Sequence, residues 1–242
     1  MINIVNTQQM QEGAGVAVRR LMPVAGLRNF DPFVLWDDFT LTPGTGFPDH
    51  PHRGFEAITY LFQGSIRHRD NLGNDSTVHS GGAQRFTAGH GIVHSEMPAT
   101  TEPTRGIQLW INLPKRLKSV EPAYQQVDAE SFPTRDIPGG HVTVIVGESS
   151  PLKLLTPVRY EHVTLNSTGH YRYAVDNTHR GFAYLVNGAA HIDDTQLNRG
   201  DAVLFSDLGE LGFHAGDQGC QLMVCAGHAH GEPIIQHGPF VD

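Results

Sequence analysis

No segment of this chain keeps an apolar period near 3.6 residues long enough to give a helix with a buried face. Instead, short runs rich in Val, Ile, Leu, Phe and Tyr recur at 15–21, 33–36, 55–62, 66–70, 107–113, 142–146, 182–186, 202–205 and 220–226. Turn-forming clusters separate them, among them Asn71-Leu72-Gly73-Asn74-Asp75, Ser80-Gly81-Gly82, Pro138-Gly139-Gly140 and Asn198-Arg199-Gly200-Asp201. Many short strands at regular spacing predict an all-β sandwich or barrel with few short helices. Composition agrees: 27 Gly and 15 Pro among 242 residues make a turn-rich chain, and a charged fraction of 17% is too low for a long solvated helix or coiled coil.

A chain of this length buries roughly 70–75% of its unfolded surface, so it needs neither disulfides nor a structural metal to fold. A metal would therefore serve chemistry. Cys220 and Cys225 are five residues apart in an apolar run, an offset that points them to opposite faces of a strand. They should not pair, and two lone thiols suit a reducing compartment. The N-terminus lacks the basic patch and apolar core of a signal sequence, and no window approaches about 18 consecutive apolar residues. We expect a cytoplasmic protein that does not enter a membrane. The net charge of -8 repels polyanions, which argues against direct nucleic-acid binding. The one basic cluster, Lys115-Arg116-Leu117-Lys118, reads as a solvated linker.

That linker divides two halves that repeat. Tyr60-Leu61-Phe62-Gln63-Gly64 matches Tyr184-Leu185-Val186-Asn187-Gly188 at an offset of 124, and His52-Arg53-Gly54-Phe55 matches His179-Arg180-Gly181-Phe182 at an offset of 127. The expected organisation is an N-terminal domain over 1–113, a connector over 114–124 and a C-terminal domain with its tail over 125–242. Two domains that cover each other within one chain suggest a monomer.

Fifteen histidines nearly equal the seventeen Lys plus Arg, and two places stand out among them: His50-Pro51-His52 and His94-Ser95-Glu96. In extended chain, residues i and i+2 project from one face, so each motif presents two donors side by side. Facing each other, the segments would offer three imidazoles and a carboxylate, a set that suits Fe, Mn, Co, Ni, Cu or Zn. No thiolate is present, which disfavours a closed structural zinc site. Glu56, four residues after His52, competes with Glu96; its plainer role is a hydrogen bond to a ligating imidazole. His90 reads as a turn residue. His228-Ala229-His230 has no companion pair, and under either alignment of the repeat the second half lacks the full histidine pair of the first.

At these residues the chain resembles the pirin family of the cupin superfamily. The resemblance runs through FPDHPHRGFEAITYLFQG (47–64), TAGHGIVHSEMP (87–98) and GEPIIQHGPFV (231–241), and covers essentially the whole sequence. It implies a bicupin, two antiparallel β-barrels of jelly-roll type, with one metal in the N-terminal barrel and none in the C-terminal one. By motif position the ligands fall on His50, His52, His94 and Glu96, with Fe(II) the first expectation. The general cupin pattern would use Glu56, a task the pirin pattern gives to Glu96.

Family members are similar to quercetin 2,3-dioxygenases, which open the central ring of a flavonol with O2 and release CO. The resemblance thus implies a flavonol substrate, with Glu96 the base for its 3-hydroxyl. A carboxylate held by a dication accepts protons poorly, so Glu96 would have to loosen from the metal. An aromatic substrate needs an apolar slot, for which Phe47, Ile92 and Met97 are candidates; Phe55 and Trp110 read as core. The alternative the resemblance allows is a metal-dependent, redox-responsive regulator acting through protein contacts, as a transcriptional co-regulator or a modulator of a metabolic enzyme. It also allows flavonol cleavage to be a side activity. A deep pocket beside the metal favours the enzyme, and an exposed apolar patch favours the regulator.

Overall fold

Antiparallel sheet dominates the computed structural model, which describes residues 2–242. Its residues form two compact units. The first comprises 8–131, 154–156 and 230–242; the second comprises 2–7, 132–153 and 157–229. Chain order alone would divide the protein into 1–113 and 125–242. Instead the strand Ile2–Asn6 pairs with Asp201–Ser206, supplying hydrogen bonds that this strand would otherwise leave open at the edge of the second unit's sheet. The tail 230–242 belongs to the first unit.

In the first unit a seven-stranded sheet runs in the order Ala123–Val127, Ala83–Thr87, Phe55–Gln63, Thr104–Asn112, Phe33–Leu41, Val16–Met22, Gln8–Glu12. A four-stranded sheet runs Phe47–His52, Ile92–Pro98, Ser65–Asp70, Asp75–His79. Phe55–Gln63 is buried on both faces over seven consecutive residues, as its near-continuous apolar run requires of a central strand. Phe55, Ala57, Phe86, Ile92 and Trp110 form one apolar cluster; Val18, Phe39, Leu61 and Ile66 belong to another.

The second unit is built on a nine-stranded sheet whose long strands, His179–Ile192 and Glu210–His228, pair with each other. Tyr171, Tyr173, Phe205, Phe213, Leu222 and Val224 fill its core. Both cysteines are free and buried.

The repeat is visible in backbone geometry. Gly64 and Gly188 both have φ of 76°, and at the matched leucines Gly81 N–H donates to Leu61 O (2.8 Å) as Gly200 N–H donates to Leu185 O (2.9 Å). The second anchor is weaker, because Gly54 has φ of 85° while Gly181 lies within an extended strand. Among the described residues the helices are two single turns of 3-10 type, Lys115–Leu117 in the connector and Ala129–Ser131. Neither is long and apolar enough to cross a membrane.

Candidate metal centre

Strand Phe47–His52 pairs with Ile92–Pro98 so that His50 stands opposite His94 and His52 opposite Ile92. The alternation in His-Pro-His puts two imidazoles on one face, and the register delivers the third. Ring centroids lie 4.5 Å apart for His50 and His94, 4.6 Å for His50 and His52, and 5.0 Å for His52 and His94. One ring nitrogen from each lies within 4.8 Å of the other two. Among the described residues no other group of three such side chains comes together.

The outward nitrogens are all engaged. His50 Nδ1 is 2.7 Å from Pro48 O, His52 Nδ1 is 3.2 Å from Pro239 O, and His94 Nδ1 is 3.5 Å from His68 Nδ1. A carbonyl only accepts, so His50 and His52 carry their protons on Nδ1 and keep Nε2 as a lone pair. His94 Nε2 is buried with no protein partner. A buried ring nitrogen without a partner is costly, and a cation coordinated to it removes that cost. This orphaned nitrogen, in an all-imidazole cluster, fits a borderline divalent ion.

Burial, reinforced by the neighbouring His50 ring, pushes His52 down to about 3. Burial, with His50, His52 and His68 close by, also holds His94 well below the ordinary histidine value. Both are therefore neutral at physiological pH, the state that ligation requires.

Glu96 follows a register shift in its strand and is 2% exposed. Thr59 Oγ1 donates to its Oε1 at 2.7 Å, Gln84 Nε2 donates to the same oxygen, and Gln108 Nε2 donates to Oε2 at 3.1 Å. The close cluster contains the three histidines and not Glu96, whose carboxylate is held by neutral donors.

His50, His52 and Glu96 line one cavity of about 600 Å³ within the first unit. Leu35, Phe39, Phe47, Trp110 and Pro239 give it an apolar wall, and Arg20, bound to Asp37, adds a charged side. Of the expected pocket residues, Phe47 is in this wall. Ile92 is buried in the cluster with Phe55 and Phe86, and Met97 packs against Gly46, its sulfur 2.7 Å from where a Cβ would stand. Trp110, read as core, lines the cavity, while Phe55 is fully buried and stacks on it at 4.1 Å.

Glu56 departs from the expected hydrogen bond to an imidazole. Its carboxylate accepts from Thr87 Oγ1 (2.9 Å), Leu155 N–H (2.9 Å) and Thr156 N–H (3.0 Å), so it anchors segment 154–156. His90 sits exposed in a turn beside Glu121 at 3.1 Å. His228 packs against His179, whereas His230 Nε2 lies 2.9 Å from Asn112 O, so the second His-x-His makes no site.

A family model described as pirin matches residues 15–111, and one described as the pirin C-terminal cupin domain matches 160–242. A pirin-like protein of Arabidopsis thaliana is 38% identical, over 97% of this chain and 81% of that relative. The chain belongs to the pirin family. Human pirin is 37% identical over 97% of the chain and 84% of its own length. The two units are cupin-like domains, and the protein is a bicupin. Among solved structures, a quercetin 2,3-dioxygenase from Acinetobacter baumannii superposes with a TM-score of 0.89, at 28% identity, over 99% of this chain and 90% of that one. A bacterial pirin from Escherichia coli in complex with nickel(II) shares the fold, with a TM-score of 0.79 and 21% identity over 95% of this chain and all of the other.

Several residues around this pirin centre carry no signal in sequence. Pro239, from the tail, reaches His52 across 187 positions. The tail is pinned by Lys118, whose Nζ donates to Gly54 O (2.9 Å), Asn112 Oδ1 (2.6 Å) and Val241 O (2.9 Å). Lys118 is thus a clamp rather than part of a solvated run. Gly54 is needed there, since a Cβ would stand 1.8 Å from Val241 O.

Proposed function

We propose that this protein is a mononuclear-metal dioxygenase that opens the central ring of a flavonol such as quercetin with O2 and releases CO. The reading rests on one observation above all: three imidazoles converge, and two of them, His50 and His52, stand with Glu96 at the wall of a cavity with an aromatic side. The similarity to the Acinetobacter baumannii quercetin 2,3-dioxygenase supports the same reaction class. A cavity of about 600 Å³ is of the size that takes a small aromatic ligand, and its presence beside the histidines favours the enzyme over the regulator.

His50, His52 and His94 would hold the ion through Nε2, with Glu96 as a fourth ligand when it turns from its donors. When bound, the metal supplies a Lewis acid for the flavonol 3-hydroxyl and an electron relay between substrate and O2. Fe(II) is the first candidate for this nitrogen-rich set, with Mn, Co, Ni, Cu and Zn the alternatives. Glu96 takes the 3-hydroxyl proton. Thr59, Gln84 and Gln108 hold its carboxylate outside the imidazole cluster, and it acts as a base from that position, off the cation. Phe47 and Trp110 flank the flat rings and exclude water.

The test is anaerobic loading with Fe(II), addition of quercetin and then air, following flavonol absorbance and trapped CO. Wild type should consume quercetin and release CO, and His94→Ala should do neither. Wild type that holds one metal per chain and leaves quercetin untouched would overturn the substrate assignment.

A further inference from the structure

Behind His94 stands a second, buried pair of side chains for which ligation has no use. His68 lies on the strand Ser65–Asp70, which pairs with the other edge of Ile92–Pro98 so that His94 faces Asp70 and Glu96 faces His68. The His68 ring is fully buried and stacks on Tyr124 at 4.2 Å, which fixes its plane. Its Nε2 is 3.0 Å from Asp70 Oδ2, and its Nδ1 is the atom that meets His94 Nδ1.

Asp70 is itself rigidly held. Leu72 N–H (2.9 Å) and Asn74 N–H (3.0 Å) donate to Oδ1, and Asn74 Nδ2 donates to Oδ2 at 2.8 Å. A carboxylate that receives donors on both oxygens is an acceptor only. On the neutral His68 ring the single proton then sits on Nε2, facing Asp70. Its Nδ1 becomes a lone pair, which can accept only if His94 carries its own proton on Nδ1. His94 Nε2 is left as the bare nitrogen of the cluster, where it has no protein partner. Each atom in the chain from Asp70 to His94 has one role consistent with the next.

We propose that His68, oriented by Asp70, is a positioning residue that sets the tautomer of His94 and thereby its competence as a metal ligand. The inference rests on the metal-centre reading above, and it assigns to the third imidazole what carbonyls of Pro48 and Pro239 do for the other two. A carbonyl partner leaves the tautomer no alternative, whereas a histidine partner can be reversed. Substituting Asp70→Asn does so: the two backbone donors keep the amide oxygen on their side, which turns the amide N–H toward His68. His68 must then accept at Nε2 and donate from Nδ1, and His94 is driven to place its proton on the nitrogen that binds metal.

The experiment uses the full chain with ¹⁵N-labelled histidine and reads ring tautomers by long-range ¹H–¹⁵N correlation in metal-free protein. Zinc affinity is measured in parallel by competition with a chelator. Wild type should show His94 protonated on Nδ1. Asp70→Asn should move that proton to Nε2 and weaken zinc binding roughly 10- to 100-fold, the usual cost of losing a ligand's outer partner. His68→Asn places an amide oxygen near the former Nδ1 and should restore the wild-type His94 tautomer and affinity; His68→Leu should not. The comparison of Asn with Leu separates tautomer control from packing, because both remove the stack on Tyr124. A His94 ring protonated on Nε2 in wild type, or on Nδ1 in both Asp70→Asn and His68→Leu, overturns the proposal. Wild type that binds no zinc would count against the metal centre itself, while the metal-free spectra would still decide the role of His68.

Discussion

His50 and His94 face each other across two antiparallel strands, their ring centroids 4.5 Å apart, although 44 residues separate them in sequence. Register places this pair, so either half is expected to matter equally. His50→Ala and His94→Ala should each weaken metal binding at least about 100-fold, beyond the effect of an outer-partner change. Equilibrium dialysis against Fe(II) or Ni(II) checks this.

Glu96→Gln should separate binding from turnover. With three imidazoles unchanged, the variant should retain metal within about tenfold of wild type, while loss of the proton acceptor lowers flavonol turnover by about 10² to 10⁴. Metal content and initial rate measured on one preparation provide the check. Turnover equal to wild type contradicts the base assignment.

The tail should act through packing more than through its surface ion pair. Arg53 and Asp242 form a bidentate pair, but both side chains are nearly half exposed, and such pairs contribute roughly 0–1 kcal/mol. Arg53→Ala should therefore lower unfolding free energy by less than about 1 kcal/mol. Val241 is fully buried beside Phe55 and Trp110, and Val241→Ala should cost about 1–3 kcal/mol. It should also weaken metal binding by loosening Pro239 from His52. Denaturant unfolding and metal titration of both variants test the contrast.

Acid should destabilise the metal-free protein before its carboxylates protonate. His52 is 3% exposed and pushed down to about 3, and burial beside His141 lowers His162 to about 4. In the unfolded chain both take up protons near pH 6.5, so the unfolded state binds more protons between that value and the folded one. The stability is complete above pH 6.5 and is lost as pH falls toward 4 and then 3. Each fully neutral histidine contributes a slope of about 1.4 kcal/mol per pH unit within its window. Thermal unfolding of apo-protein from pH 7.5 to 4.5 should show a falling midpoint. A flat profile contradicts the neutral buried state of these rings.

How much of this was legible in the chain follows from the range of each interaction. His50, His52, His94 and Glu96 announce themselves because period-two spacing is local, and the repeat marks matched strands because Gly64 and Gly188 need the same positive φ. Strand Phe55–Gln63 is read from its continuous apolar run, whereas Ala83–Thr87 and Val158–Leu165 interleave Gln84, Arg85, Glu161 and His162 and give no such signal. The partners of the centre are placed by pairing: Gln84, Gln108 and Thr59 meet Glu96 from three different strands. Glu56 has the right spacing from His52, yet backbone N–H groups of 155 and 156 engage its carboxylate, a contact 99 residues distant. The fate of the termini was likewise invisible, because a strand at residues 2–6 pairs wherever an open edge exists.

The most direct test of the account is X-ray absorption at the iron edge of Fe(II)-loaded protein, with metal content measured on the same sample. We predict one iron per chain, with imidazole scattering from three histidines at about 2 Å, lost in His94→Ala. Iron that is not retained by wild type, or that is retained equally by His94→Ala, would contradict the central claim that these three rings form the metal centre.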